Sequence, residues 1–209
     1  MRGAYLPGED TPTTARAFWA YVDAHAPDAD LGAASFLEAR RGTHFYLGAR
    51  DGTKADFLHF RRCEAHHNAA GFGKPSTVYD AIGAAQVAKA SFAGMRLLHH
   101  LGTDVPIWPF DPAPTAGACV VEIYTTIAAR AAGVRKGLSK LRDPAALDVA
   151  LGVLGSAPHL PLPRYTDHAT DAILTAAWLR ANRARPEFWH PPALTAQIAR
   201  TEGWTFGIS

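Results

Sequence analysis

Apolar residues recur along much of the chain at the three- and four-residue spacing of amphipathic helices. After Thr11-Pro12, a dipeptide that favours the start of a helix, this spacing places Phe18, Trp19 and Val22 on one apolar face. Further helices are predicted where helix-forming residues and helix-start or helix-stop signals return: 29–41, 76–101, 125–132, 143–154, 166–180 and a short segment near the C-terminus.

Nearly continuous apolar runs predict three short strands, at 105–110, 118–124 and 204–208. A hairpin is predicted where strand-like residues flank the turn Arg50-Asp51-Gly52. The segment 61–76 that follows is rich in His, Arg and Gly and is predicted to be a loop. Helices that alternate with short strands favour an α/β fold with the helices packed on a small sheet.

The 209 residues are enough for one domain with a sizeable core, and we predict a single domain over 1–209. With 48% hydrophobic and 19% charged residues, the composition is that of an ordinary soluble globular protein. A formal net charge of +2 neither requires a nucleic-acid partner nor excludes a local basic groove. Because no apolar run is long enough for a membrane span and the two cysteines lack metal-binding spacing, we expect a cytoplasmic protein without a membrane partner.

Two acidic residues occupy positions where an apolar residue would be expected. Asp171 lies about one turn into the helix that Thr166 is expected to cap, on the same stripe as Leu174 and Trp178. Glu122 lies inside the second predicted strand. Since a buried carboxylate must be paired, hydrogen-bonded or metal-bound, both are candidates for one site that binds Mg²⁺ or Mn²⁺. The alternative is structural, with an arginine partner for Glu122 and loop hydrogen bonds for Asp171.

Positively charged and histidine side chains are frequent in the middle of the chain. Three cations are candidates for binding a substrate phosphate, with a solvated basic loop as the alternative: Arg61, Lys74 and Lys89. A zinc site made by Glu64, His66 and one residue of the pair His99-His100 would suit a small-molecule hydrolase. Because adjacent residues on a helix face different directions, hydrogen-bonded or solvent-facing histidines are the alternative.

Five stretches in this order resemble an uncharacterised family of predicted nucleases, domain of unknown function 429: PSTVYDAIGAAQVAKASFAGMRLLHHL, VPIWPFD, VVEIYTTIAARAAG, ATDAILTAAWLRA and EGWTFGIS. The resemblance covers 60–209 and leaves 1–60 as a divergent N-terminal part. It implies a ribonuclease-H-like, RuvC-type fold, which is helix-rich and three-layered with a small mixed sheet. The strand acid of the family falls on Glu122 and its helix acid on Asp171, while His168 matches an extra acidic-or-His position.

The resemblance implies a metal-dependent nuclease that cleaves phosphodiesters, with nucleic acid as its partner. Glu122 and Asp171 would bind Mg²⁺ or Mn²⁺, and His168 or Asp167 would act as a third ligand or proton carrier. The Gly-x-Asp strand expected at the start of the family is missing, because only ten loop-like residues precede the Thr11 helix. Two alternatives therefore stay open. One is a catalytically inactive relative, serving as an interaction or structural protein, whose exposed sheet edge favours a homodimer; the other is the small-molecule hydrolase.

Overall fold

The structure is a computed structural model that describes residues 5–73, 75–83, 86–135 and 141–209. Contacts between residues group the chain into two compact units. Unit 1 comprises Met1–Val121 and Ala193–Trp204, and unit 2 comprises Glu122–Pro192 and Thr205–Ser209. The single domain expected from the sequence stays a prediction, because compactness alone does not show whether each unit folds independently.

The described part of unit 1 contains the helices α1 (Ala15–Ala24), α2 (Ala34–Glu38), α3 (Arg62–Ala69), α4 (Ala88–Leu101) and α9 (Ala196–Thr201). Strands β1 (Ile107–Trp108) and β2 (Val120–Val121) pair in parallel, with Ile107 opposite Val120 and Trp108 opposite Val121. This helix-rich arrangement with a small parallel sheet agrees with the predicted α/β class. The three-layer ribonuclease-H-like fold with its mixed sheet stays a prediction.

The core of unit 1 forms where α1 packs against α4. Phe18 and Val22 of α1 are buried, as their spacing predicts. Phe92 of α4 meets Phe18 edge-on, with ring centres 6.3 Å apart. The Arg96 guanidinium is also buried and donates to the carboxylate of Asp23 at 2.8 Å. The ion pair offsets the cost of burying this charge beside an aromatic core.

The described part of unit 2 contains the helices α5 (Thr125–Ala131), α6 (Pro144–Val153), α7 (Asp167–Asn182) and α8 (Pro186–Trp189). Two of them begin at the predicted N-caps. The Asp143 carboxylate accepts from the backbone N–H of Ala146 at 2.9 Å, and the Thr166 hydroxyl accepts from that of Ala169 at 3.2 Å. Helix α7 packs against both α5 and α6.

An aromatic cluster holds the C-terminal residues of unit 2 against α7. The buried Trp178 ring meets Phe206 edge-on at 6.0 Å and lies 5.7 Å from the ring of Phe188. Gly207 lies so close to Trp178 that a Cβ atom built on it would be 2.4 Å from the indole. A residue without a side chain is therefore required at position 207.

The predicted hairpin around Arg50-Asp51-Gly52 is wrong. Residues 49–51 and 54–57 instead form short 3₁₀ turns. The Asp51 carboxylate accepts from the backbone N–H of Leu47 at 2.7 Å and from the guanidinium of Arg41 at 2.8 Å. These side-chain bonds hold the segment as a loop, in competition with a strand ladder.

One predicted loop and two predicted helices also differ from the structure. The expected loop 61–76 contains α3, while the expected helix 76–101 begins only at Ala88. Gly83 has a φ of +108°, which a right-handed helix does not allow, so the described residues 76–83 do not continue the helix. The expected helix 29–41 is a 3₁₀ turn followed by α2, and Gly32 lies between them.

Candidate functional site

Glu122 is the first residue of unit 2 and its side chain is exposed. Its carboxylate accepts a hydrogen bond from the hydroxyl of Thr205 at 2.9 Å, and its carbonyl accepts from the N–H of Phe206 at 2.8 Å. These residues form a single parallel bridge in the region where the third strand was predicted. The expectation of a buried Glu122 is wrong, so burial gives no reason to place a metal ion there.

The other predicted catalytic residues lie in the first two turns of α7. Asp167 forms a bidentate ion pair with Arg142, with N–O distances of 2.8 and 3.1 Å. His168 is exposed and Asp171 is partly buried. Because Leu174 of the same stripe is buried, Asp171 lies at the start of a core-facing stripe, as predicted.

The two predicted metal ligands, Glu122 and Asp171, both belong to unit 2. Among the residues that the structure describes, no group of three or more His, Cys, Asp or Glu side chains could hold a metal ion. Two-metal hydrolysis needs several oxygen ligands around a pair of ions, so the described residues fit such a centre incompletely. Binding of Mg²⁺ or Mn²⁺ by Glu122 and Asp171 stays a prediction.

The three predicted phosphate-binding cations belong to unit 1. The Nε of Arg61 donates to the buried Glu64 carboxylate at 2.8 Å, and its Nη1 donates to the carbonyl of Glu202 at 3.3 Å. Lys89 is exposed in the first turn of α4, and Lys74 lies outside the described residues. Arg61 thus has a structural partner, and phosphate binding by the three residues stays a prediction.

The proposed zinc ligands have other contacts within unit 1. Glu64 accepts from both the side chain and the backbone N–H of Arg61, each at 2.8 Å. The His66 ring lies 5.8 Å from the ring of Trp204. His100 lies 3.2 Å from Asp23. The described residues contain no three-ligand group here either, so a histidine-based hydrolase is also untested.

Three polar side chains of unit 2, which sequence analysis did not select, form a continuous hydrogen-bonded relay. Asp148 belongs to α6, whereas His159 and Tyr165 lie between α6 and α7. Oδ1 of Asp148 is 2.6 Å from Nδ1 of His159, and Nε2 of His159 is 2.7 Å from the hydroxyl of Tyr165. The His159 side chain is only 6% exposed, against 35% for Asp148. The relay is therefore partly shielded from water.

Hydrogen bonding assigns the protons of this relay. The side chain of His159, and then its backbone N–H at 2.9 Å, hold the pKa of the Asp148 carboxyl below its usual value. An ionised carboxylate only accepts, so Nδ1 of His159 carries a proton. In the neutral imidazole Nε2 then accepts from the Tyr165 hydroxyl, and the N–H of Leu162 lies 3.4 Å from the same oxygen.

The relay has the order that activates a side-chain nucleophile: a hydroxyl, a base that can take its proton, and an acid that orients the base. The sequence pattern does not predict this relay, whose members are eleven and six positions apart. Asp148 lies on a helix and the other two residues lie in the loop that follows it, so no single helix or strand period relates the three positions. The one available signal was the proline-rich loop after α6, whose prolines at 158, 161 and 163 restrict the backbone around His159.

Comparison with protein-family models, curated proteins and solved structures found no match for this chain. The resemblance to predicted nucleases therefore depends on the five sequence stretches alone. In the described part of the chain, no helix has the length and apolar character needed to cross a membrane. Partnership with nucleic acid, a homodimer through an exposed sheet edge, and cytoplasmic location all stay predictions.

Proposed function

We propose that unit 2 is a phosphoester-cleaving unit in which the Tyr165 hydroxyl is the nucleophile, His159 the general base, and Asp148 the residue that orients the base. The observation that carries this proposal is the continuous pair of hydrogen bonds, 2.6 and 2.7 Å long, from Asp148 through His159 to Tyr165. A base within hydrogen-bonding reach of a nucleophile, held by a third group, is the arrangement that nucleophilic catalysis requires.

The reaction balances as two half-reactions. In the first, Oη of Tyr165 bonds to phosphorus, the bond from phosphorus to the ester oxygen breaks, and the phenolic proton moves to Nε2 of His159 and then to the leaving oxygen. In the second, the oxygen of a water molecule bonds to phosphorus while the bond from phosphorus to Oη of Tyr165 breaks; His159 takes a proton from the water and returns it to Oη. In this second half-reaction Oη is the leaving oxygen, and the N–H of Leu162, 3.4 Å away, is placed to donate to it as negative charge develops.

The charges near Tyr165 support a phosphoester as the substrate. Arg164, the preceding residue, is an exposed cation, and the sixteen-residue helix α7 begins two positions after Tyr165, with Asp167 of its first turn paired to Arg142. The N-terminus of a helix attracts anions. Phosphodiester chemistry is also what the family resemblance implies, although the residues that carry it here are different ones.

The test is a search for the covalent intermediate. The protein is incubated with bis(4-nitrophenyl) phosphate or a single-stranded oligonucleotide, and its peptides are then mapped by mass spectrometry. We expect a phosphoryl adduct on the peptide that contains Tyr165, none in Tyr165→Phe, and formation slowed about 10²- to 10⁴-fold in His159→Gln. Tyr46→Phe is the matched control, since Tyr46 belongs to unit 1.

Parallel reactions with EDTA and with Mn²⁺ separate this proposal from the predicted metal-dependent nuclease. Cleavage that requires Mn²⁺ and survives Tyr165→Phe would support the nuclease prediction and contradict the proposal. The absence of both adduct and cleavage in the parent protein would also contradict it. In that case the relay only ties the proline-rich loop to α6.

A further inference from the structure

Unit 1 contains an open cleft of about 590 Å³ between α3 and the segment that contains α9. Ligand pockets commonly have volumes of roughly 300–1,000 Å³, so this cleft has room for a small molecule. Its walls combine charged, polar and small apolar side chains: Arg62, Ala65, His66, Ala69, Ala193, Thr195, Gln197, Ile198, Thr201, Glu202 and Trp204.

The apolar part of the cleft arises because α3 presents small residues along one face. Ala65 and Ala69 are four positions apart, so they lie one above the other on the helix. Ile198 of α9 and the buried Trp204 line the same cleft. Alanines on one wall leave space for an apolar group of a ligand beside Ile198.

The cleft is also lined by one arginine and one glutamate side chain, Arg62 and Glu202. The Arg62 side chain is exposed, and its backbone N–H donates to the carboxylate of Glu202 at 2.6 Å. The Glu202 carbonyl accepts from Arg61 at 3.3 Å, so Glu202 is held at both ends. The bond from Arg62 uses Oε2 of Glu202. A carboxylate accepts several hydrogen bonds, so Glu202 can also accept from a ligand.

The threonine hydroxyls of the cleft have partners within α9 and contribute less. The Thr195 hydroxyl caps α9 by accepting from the N–H of Ile198 at 3.2 Å, and the Thr201 hydroxyl donates to the Gln197 carbonyl at 2.9 Å. Recognition of a ligand therefore depends mainly on the cation of Arg62, the anion of Glu202 and the apolar wall.

We infer that this cleft binds a zwitterionic small molecule with an apolar side chain, an α-amino acid of the size of leucine. Arg62 would bind its carboxylate and Glu202 its ammonium group, while the side chain would lie against Ala65, Ala69 and Ile198. Charge-assisted hydrogen bonds of this kind favour a ligand that carries both charges over one that carries either alone. The inference is independent of the chemistry proposed for Tyr165.

The test is calorimetric titration of the full chain with L-leucine, N-acetyl-L-leucine, which lacks the ammonium group, and L-leucinamide, which lacks the carboxylate. We expect leucine to bind at least about tenfold more tightly than either analogue, because each analogue loses a charge-assisted hydrogen bond. Arg62→Gln should remove the preference for leucine over leucinamide. Glu202→Gln, which keeps an acceptor for the Arg62 N–H, should remove the preference over N-acetyl-leucine.

Arg200→Gln is the matched control, because Arg200 is exposed on α9 and does not line the cleft. Its leucine affinity should equal that of the parent. Ala65→Phe should abolish binding without removing a charge, by filling the cleft. Absence of leucine binding, equal binding of all three compounds, or unchanged affinity in Arg62→Gln and Glu202→Gln would each overturn the inference.

Discussion

Gly207→Ala perturbs the aromatic cluster of unit 2 at a single defined point. The backbone at Gly207 has a φ of +94°, which residues with a side chain rarely adopt. A Cβ atom there would lie 2.4 Å from Cη2 and 2.9 Å from Cζ2 of the Trp178 ring. Because Trp178 is only 4% exposed and touches Phe188 and Phe206, its ring has little room to move away.

The expected cost has two parts. Holding alanine at a positive φ costs about 1–2 kcal/mol. Forcing a methyl group into a packed aromatic cluster costs about 1–3 kcal/mol. We therefore expect Gly207→Ala to lower the free energy of unfolding by about 2–5 kcal/mol, which is a large part of the stability of an ordinary domain.

Gly117→Ala separates the two parts. Gly117 has the same φ of +94°, but nothing lies within 4 Å of a Cβ atom built on it. It should therefore show the backbone cost alone. Urea unfolding of the parent and both variants, monitored by tryptophan fluorescence and by circular dichroism, gives the free energy of unfolding of each protein. The difference between the losses in the two variants is the steric cost at position 207. Gly207→Ala should be about 1–3 kcal/mol more destabilising.

The same substitution made in a Trp178→Leu protein tests whether the Trp178 ring is the source of the steric cost. In the Trp178→Leu protein the ring is gone, so adding Gly207→Ala should cost no more than Gly117→Ala does in the parent. Equal losses for Gly207→Ala and Gly117→Ala in the parent protein would refute the close packing of Gly207 on Trp178. A loss from Gly207→Ala that persists undiminished in the Trp178→Leu background would refute it as well.

Two further predictions concern charged groups of unit 2. If Glu122 binds a divalent ion, Mn²⁺ should raise the melting temperature of the parent and not of Glu122→Gln; no shift in either protein would contradict the predicted metal site. The pKa of Asp148 is lowered by His159, so its stabilising contribution is present above the ordinary carboxyl pKa of about 3.9 and is lost as the pH falls below that value. Unfolding measured from pH 2.5 to 5 should therefore show a weaker acid dependence in Asp148→Asn; identical curves would exclude this linkage.

Several helices were predicted correctly because the N-cap side chains that start them bond to backbone groups only a few residues away. Asp143 and Thr166 each accept from a backbone N–H three positions later, and α6 and α7 begin directly after them. The spacing of Phe18 and Val22 likewise predicted which face of α1 is buried. Such interactions depend on neighbouring positions alone, so the sequence contains them directly.

Helix α3 could not be predicted in the same way. Its buried residues are Cys63, Glu64 and His67, two of them polar, so no apolar stripe marks the helix. Glu64 is buried because Arg61 bonds to its carboxylate through both backbone and side chain. In the same way, only Val120 and Val121 of the predicted strand 118–124 pair with β1, because strand length depends on a partner that the local pattern does not specify.

Candidate site residues show the same dependence on partners distant in sequence. Asp167 was predicted to assist catalysis, yet it pairs with Arg142, twenty-five positions earlier. His159 attracted no prediction, although its ring joins an acid on a helix to a hydroxyl on a loop. A sequence shows which residues are able to ionise, but only folding determines which of them meet another side chain and which face a substrate. In unit 2, hydrogen bonds join Tyr165 to a base and an acid, whereas Glu122 bonds to the hydroxyl of Thr205; we therefore propose chemistry at Tyr165 rather than at the acid pair Glu122 and Asp171.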